Sequence, residues 1–126
     1  MLALTPQHRL LLAVDAVDFR RGIDGLAAIC MQQLEEHPDS GTVFVFTNKR
    51  RTAVKILVYD GQGYWICMKR FSQGKLQWWP TSEANVHAIS AQELNVLLHQ
   101  GIPSKANMQP AWKPLAMQTY FHQAAC

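Results

Sequence analysis

The stretch Ala53–Arg70, AVKILVYDGQGYWICMKR, decides the fold. Two runs rich in branched and aromatic residues flank Asp60-Gly61-Gln62-Gly63. Branched and aromatic side chains fit a pleated surface, while Asp and Gly supply the backbone conformations of a tight turn. The spacing predicts a symmetric β-hairpin, with Tyr59 facing Tyr64, Leu57 facing Ile66 and Lys55 facing Met68. Alternation then places Val54, Ile56, Val58, Trp65, Cys67 and Lys69 on one face. Lys55, Leu57, Tyr59, Tyr64, Ile66, Met68 and Arg70 share the other. The first face reads as core, a seat for the apolar stripe of a helix. The second has two readings. Its Tyr59/Tyr64 pair between basic ends suits base stacking and phosphate contact. Its Leu57, Ile66 and Met68 equally suit packing against a helix or another subunit.

Upstream, Thr42–Thr47 (TVFVFT) holds four consecutive apolar residues, which predicts a central strand buried on both faces. Arg9–Val14 (RLLLAV) reads as a first strand. Between them, Asp18–Glu36 reads as one long helix capped by Asp18, with Ile23, Leu26, Ala27, Cys30 and Leu34 forming an apolar stripe. Gly22 and Gly25 would let that helix approach the sheet closely. Downstream, Leu76–Trp79 is expected to form a short last strand, stopped by Pro80. Ser90-Ala91-Gln92-Glu93 has the capping-box pattern and opens a short helix to His99, with Leu94, Leu97 and Leu98 inward and Gly101 past its end. The expected fold class is α+β. A four- to five-stranded, mainly antiparallel sheet carries the long helix on a face and the short C-terminal helix beside it. Residues 1–101 are expected to form one domain, and residues 102–126, with Pro103, Pro110 and Pro114, a tail or packing arm.

The chain has 126 residues, 48% hydrophobic and 17% charged, enough for one domain with a real core. No apolar run approaches the roughly 18–20 residues of a membrane span, so no membrane association is expected. No signal-peptide pattern is read at the N-terminus, and a cytoplasmic location is expected. The three cysteines, Cys30, Cys67 and Cys126, form no paired motif, and the five histidines no helical ligand pair, so neither a disulfide framework nor a metal or other cofactor is expected. The net charge is +3, and nine of the twelve Lys/Arg lie between Arg20 and Lys75 against five acidic residues, a local balance of +4. That concentration suits a polyanionic partner.

Two clusters carry this charge. In Asp18–Leu26 (DFRRGIDGL), the amides of a helix start and the side chains of Arg20 and Arg21 could grip an anion, or the arginines could simply be solvated. No Gly-rich nucleotide-binding fingerprint accompanies them. Asn48–Arg51 (NKRR) places Lys49, Arg50 and Arg51 in one turn, where phosphate contact and a solvated turn are equal readings. Lys55, Lys69 and Arg70 extend the basic set along the hairpin. Asp15, Asp18, Asp24 and Asp60 would suit a metal-dependent nuclease only if two or three converged on one ion. Asp18 reads as a cap and Asp60 as a turn residue, so no catalytic residue is assigned.

Read together, the runs Asp18–Leu26, Ser40–Phe46, Asn48–Arg51, Lys55–Trp65, Lys69-Arg70-Phe71, Gly74-Lys75-Leu76 and Trp79-Pro80 carry a likeness. In this order the chain resembles the accessory-protein family encoded by the second open reading frame of insertion-sequence 66 elements. This is the TnpB family of those bacterial transposable elements, unrelated to the RNA-guided nuclease of the same name. The resemblance covers roughly Ala13 to Gly101. Phe19 stands where the family usually has Met and Arg21 where it has Lys. The resemblance implies a non-catalytic partner of a separate, larger transposase. With the basic segment, it leads to an expected contact with DNA, with that transposase, or with both. The alternatives are a protein-interaction or dimerisation module using the Tyr59/Tyr64 face and, behind it, a nuclease.

Overall fold

A computed structural model describes residues 8–103. Within them the chain runs β1 (Leu10–Ala13), α1 (Ile23–Gln32), β2 (Val43–Thr47), β3 (Ala53–Tyr59), β4 (Tyr64–Arg70), β5 (Val86–Ile89) and α2 (Ala91–Leu98). The five strands form one sheet in the order β4-β3-β2-β1-β5. All neighbours are antiparallel except β1 and β2, which run parallel, with Leu11 beside Phe44 and Leu12 beside Val45. The fold is α+β, and the hairpin register is the expected one, Tyr59 opposite Tyr64 and Lys55 opposite Met68.

The central strand β2 is buried along its whole length. Phe44 and Phe46 join Leu11, Ala13 and Leu57 beneath Leu26, Ile29, Cys30 and Leu34 of the α1 segment. Val43 and Val45 join Leu10, Leu12, Val54, Ile56, Val58 and Cys67 beneath Ala91, Leu94, Leu97 and Leu98 of α2. The molecule therefore has three layers, with a helix on each face of the sheet. This corrects two expectations. The first helix does not take the Val54/Ile56/Val58 face, and the second does not lie beside it.

The cause lies in Lys55. Its stem runs along the sheet and its ammonium donates to the carbonyls of Phe19 (2.8 Å) and Arg21 (3.1 Å), which fixes the lead-in to α1 on the Lys55 face. Leu57, Ile66 and Tyr64 then pack beneath that helix. The all-aliphatic face is taken by α2, whose start has the expected capping box: Ser90 Oγ accepts from the amide of Glu93, and the Glu93 carboxylate accepts from the amide of Ser90.

Helix α1 is shorter than the expected Asp18–Glu36. Its N-cap is Gly22, with no side-chain cap. Asp18 instead bonds the amide of Arg20 two residues on, a local turn that competes with helix. Leu76–Trp79 is not a strand. Leu76 and Trp79 both enter the α2-side core, and positions three apart cannot share a face at a strand's period of two. The Trp79 indole N–H donates to the carbonyl of Ala13 at 3.0 Å, tying this irregular segment to the end of β1. The fifth strand is β5 instead, antiparallel to β1. Past α2, Gln100 takes the left-handed backbone (φ 61°) and the Gly101 amide bonds the Val96 carbonyl, where a Cβ on Gly101 would lie 2.8 Å from the Val96 side chain. Most of the expected tail, from residue 104 on and including Cys126, lies outside the described residues.

The packing of α1 has a direct test. Leu26 has no exposure and Ile23 is 37% exposed. Leu26→Ala should cost about 2–5 kcal/mol in urea unfolding. Ile23→Ala should stay within about 1 kcal/mol. Equal costs would contradict this helix orientation.

Candidate nucleic-acid interface

The carbonyl end of β2 is where two basic loops meet. The amide of Val17 donates to the carbonyl of Thr47 at 3.0 Å, which ties the segment after β1 to the last residue of β2. Thr47 is buried, and its hydroxyl donates to the Ala53 carbonyl at 3.0 Å, closing the base of the following turn. Within that turn the Asn48 side-chain oxygen accepts from the amides of Thr52 (2.9 Å) and Ala53 (3.2 Å), and its side-chain NH2 donates to the Thr52 hydroxyl. Arg51 sits in the left-handed region (φ 60°), a conformation that costs a non-glycine residue roughly 1–2 kcal/mol. The surrounding bonds hold it: its amide donates to Asn48 and its carbonyl accepts from Leu76.

The two loops together line one open groove of about 1150 Å³. One loop supplies Ala16 to Arg20 and the other Asn48, Lys49 and Arg50. Residues some thirty positions apart in sequence are thus joined: Arg20 from one loop, Lys49 and Arg50 from the other. Lys49 and Arg50 are exposed. The Arg20 guanidinium instead lies against Asp18, with Nη2 2.7 Å and Nε 3.0 Å from Oδ2. The Asp18 carboxyl is held down at about 2 by the Arg20 side chain and then by the Arg20 amide. Phe19 is half-buried, with the Lys55 ammonium 5.1 Å from its ring centre.

The other basic residues read from the sequence are not among the groove's lining residues. Arg21 is exposed, its side chain passing close over Gly25, where an added Cβ would come within 3.0 Å of the Arg21 Cβ. Lys55 is committed to the carbonyls described above. Lys69 lies on the α2 side, donating to the Leu98 carbonyl at 2.7 Å and sitting 5.6 Å from the Phe71 ring, where it complements the negative end of α2. Arg70 is exposed at the far end of β4. Tyr59 and Tyr64 are half-buried and pack edge-tilted at 5.0 Å, and burial raises the Tyr64 phenol above its ordinary range.

Of the carboxylates read as a nuclease set, Asp18 and Asp60 have local tasks, and Asp15 and Asp24 are exposed. Asp60 accepts from the amides of Gln62 and Gly63 and from the Trp65 indole, and these bonds hold it below the usual carboxylate range. Among the described residues, no three His, Cys, Asp or Glu side chains gather as a metal site. The Cys30 thiol is pushed up to about 12 by burial, so at neutral pH it is a packing group and not a nucleophile. Sequence reasoning missed Ala16, Val17 and Phe19 as groove residues, because the Val17–Thr47 backbone bond and the Lys55 contacts that bring them to the basic turn leave no mark in their own side-chain types.

The family profile described as "IS66 Orf2 like protein" matches residues 8–109, most of the chain. The chain belongs to the IS66 Orf2-like family. Two proteins of Sinorhizobium fredii (strain NBRC 101917 / NGR234) are similar to this member. One, "Uncharacterized protein y4hO", is 33% identical over 114 residues, 90% of this chain and 96% of its own. The other, "Uncharacterized protein y4jC", is 30% identical over 106 residues, 84% of this chain and 90% of its own. No solved structure matches. Membership in the IS66 Orf2-like family makes the chain a transposition-associated accessory protein. No helix among the described residues is long and apolar enough to cross a membrane.

The local ion pair has a titration signature. Because the folded pKa of Asp18 is depressed from 3.8, the pair persists through mild acid and is lost only as the pH falls towards about 2. NMR titration of the Asp18 carboxyl carbon should therefore give a midpoint near 2, and Arg20→Gln should return it towards 3.8. An unchanged midpoint in the variant would contradict the pairing.

Proposed function

We propose that this member of the IS66 Orf2-like family is a non-catalytic accessory protein that contacts DNA through the groove between its two basic loops and acts beside the larger transposase of the same element. The observation that carries the reading is the placement of Arg20, Lys49 and Arg50 around one groove at the end of β2. Cations from two loops lining one groove can engage neighbouring phosphates, which gives affinity without sequence choice. Arg21 and Arg51 belong to the same two loops and add to the local positive field, while Lys55 and Lys69 serve the fold first. The Arg51 backbone supports the reading as well, since an arginine occupies a position where glycine would sit without strain.

The protein-interaction reading has less to support it. α1 covers Leu57 and Ile66, which leaves the half-buried Tyr59/Tyr64 pair and the exposed Met68 on that face. A homo-oligomer through that face is compatible with the groove reading and does not replace it. The nuclease reading has less behind it, since Asp18 is engaged by Arg20 and Asp60 by the hairpin turn, and no three metal-ligating side chains gather among the described residues.

Lys49→Glu with Arg50→Glu should weaken binding of element-end DNA by roughly ten- to a hundredfold at low salt, and should flatten the slope of log affinity against log salt by about 1.4–1.8. Arg9→Gln, before β1 at the end of that strand away from the groove, should change affinity by less than about threefold. The readout is a salt series of gel shifts, with pull-down of the larger transposase by the same variants as a second arm. An unchanged shift in the double variant would overturn the reading.

A further inference from the structure

We propose that the groove receives an unpaired nucleic-acid strand in preference to a duplex. This rests on the DNA-contact reading above and names the form of the ligand. The size of the groove comes first. Its volume of about 1150 Å³ exceeds the roughly 300–1,000 Å³ of small-molecule sites, and it is open, so it suits a short run of polymer and not a single metabolite.

The lining comes second. Ala16, Val17 and Phe19 give one wall an apolar surface, and the cations stand around it. The outside of a duplex offers phosphates and sugars and hides the faces of its bases, so an apolar wall in contact with it gains nothing. An unpaired strand offers both parts at once: base faces that stack on an aromatic ring, and phosphates that reach the cations. Phe19 suits this task because Lys55 and the core fix its position, so little ordering of the ring remains to be done on binding.

The charge comes third. Arg20 is held by Asp18, which itself lines the groove, whereas no ion pair among the described residues involves Lys49 or Arg50. Two or three phosphates can therefore be neutralised there. That is few compared with the ~6–10 phosphate contacts of a strongly salt-dependent duplex binder, so stacking must supply much of the affinity.

The test is fluorescence anisotropy on the full chain. The probes are a labelled oligothymidylate of about 15 nucleotides, a hairpin duplex of equal nucleotide count, and polyglutamate as competitor. Oligothymidylate should bind at least about tenfold tighter than the duplex. Its salt slope should lie near −1.4 to −2.1, the value for two or three phosphates on a single strand. Phe19→Leu keeps an apolar side chain of similar bulk and should weaken strand binding about fivefold or more, with duplex affinity unchanged. Ala16→Gln, at an exposed position, tests the wall without touching the core or the groove's charge and should weaken strand binding alike. Duplex binding equal to or tighter than strand binding overturns this inference and leaves the DNA-contact reading standing. So does strand binding unmoved by both variants. Displacement by polyglutamate at equal charge would show a site for acidic protein and overturn both readings, as would binding of neither nucleic acid.

Discussion

Phe44 and Phe46 point to one side of β2 while Val43 and Val45 point to the other, and none of the four exposes any surface. A strand with two apolar faces needs a layer on each side. The chain provides them by different routes. β1 and β2 are parallel neighbours, so the link between them must cross over the sheet, and α1 is that crossover. α2 comes at the end of the described chain and covers the remaining face. Everything near the groove hangs from the same strand. The carbonyl of Thr47 holds Val17, its hydroxyl holds Ala53, and Asn48 braces the turn that carries Lys49 and Arg50.

Much of this was legible in the residues. The hairpin register followed from Asp60–Gly63 and the period-two pattern around it, and the central place of β2 from its unbroken apolar run. The Ser90–Glu93 capping box marked the start of α2. The side on which each helix lies was not legible, because both faces of β3 are apolar enough to be covered. Lys55 read as a surface cation, although its ammonium is the tie that brings the α1 lead-in to its face. The parallel pairing left a signal that was not used: two short apolar runs separated by a helical one, the pattern of a β-α-β unit. β5 is four residues long and half exposed, below what periodicity can separate from loop.

The groove was half legible. Each basic loop stood out by composition, but their adjacency rests on the parallel β1–β2 pairing, the Val17–Thr47 backbone bond and the Lys55 contacts to the Phe19 and Arg21 carbonyls, none of which the loops' own composition shows. DFRRGIDGL showed the same limit. Asp18 has the chemistry of a helix cap, yet it lies four residues before the N-cap Gly22 and spends its carboxylate on Arg20. That pairing lowers the charge Arg20 presents to a partner, so the groove is less cationic than its count of basic residues suggests.

The central claim is that the two loops at the end of β2 form one nucleic-acid surface. Backbone amide chemical-shift mapping during titration with an oligonucleotide tests it most directly. The account predicts that amides of Ala16–Arg20 and Asn48–Arg51 move together along a single binding curve, with α2 and β5 unmoved. Shifts centred on the β4 or β5 edge, or on only one of the two loops, would contradict it.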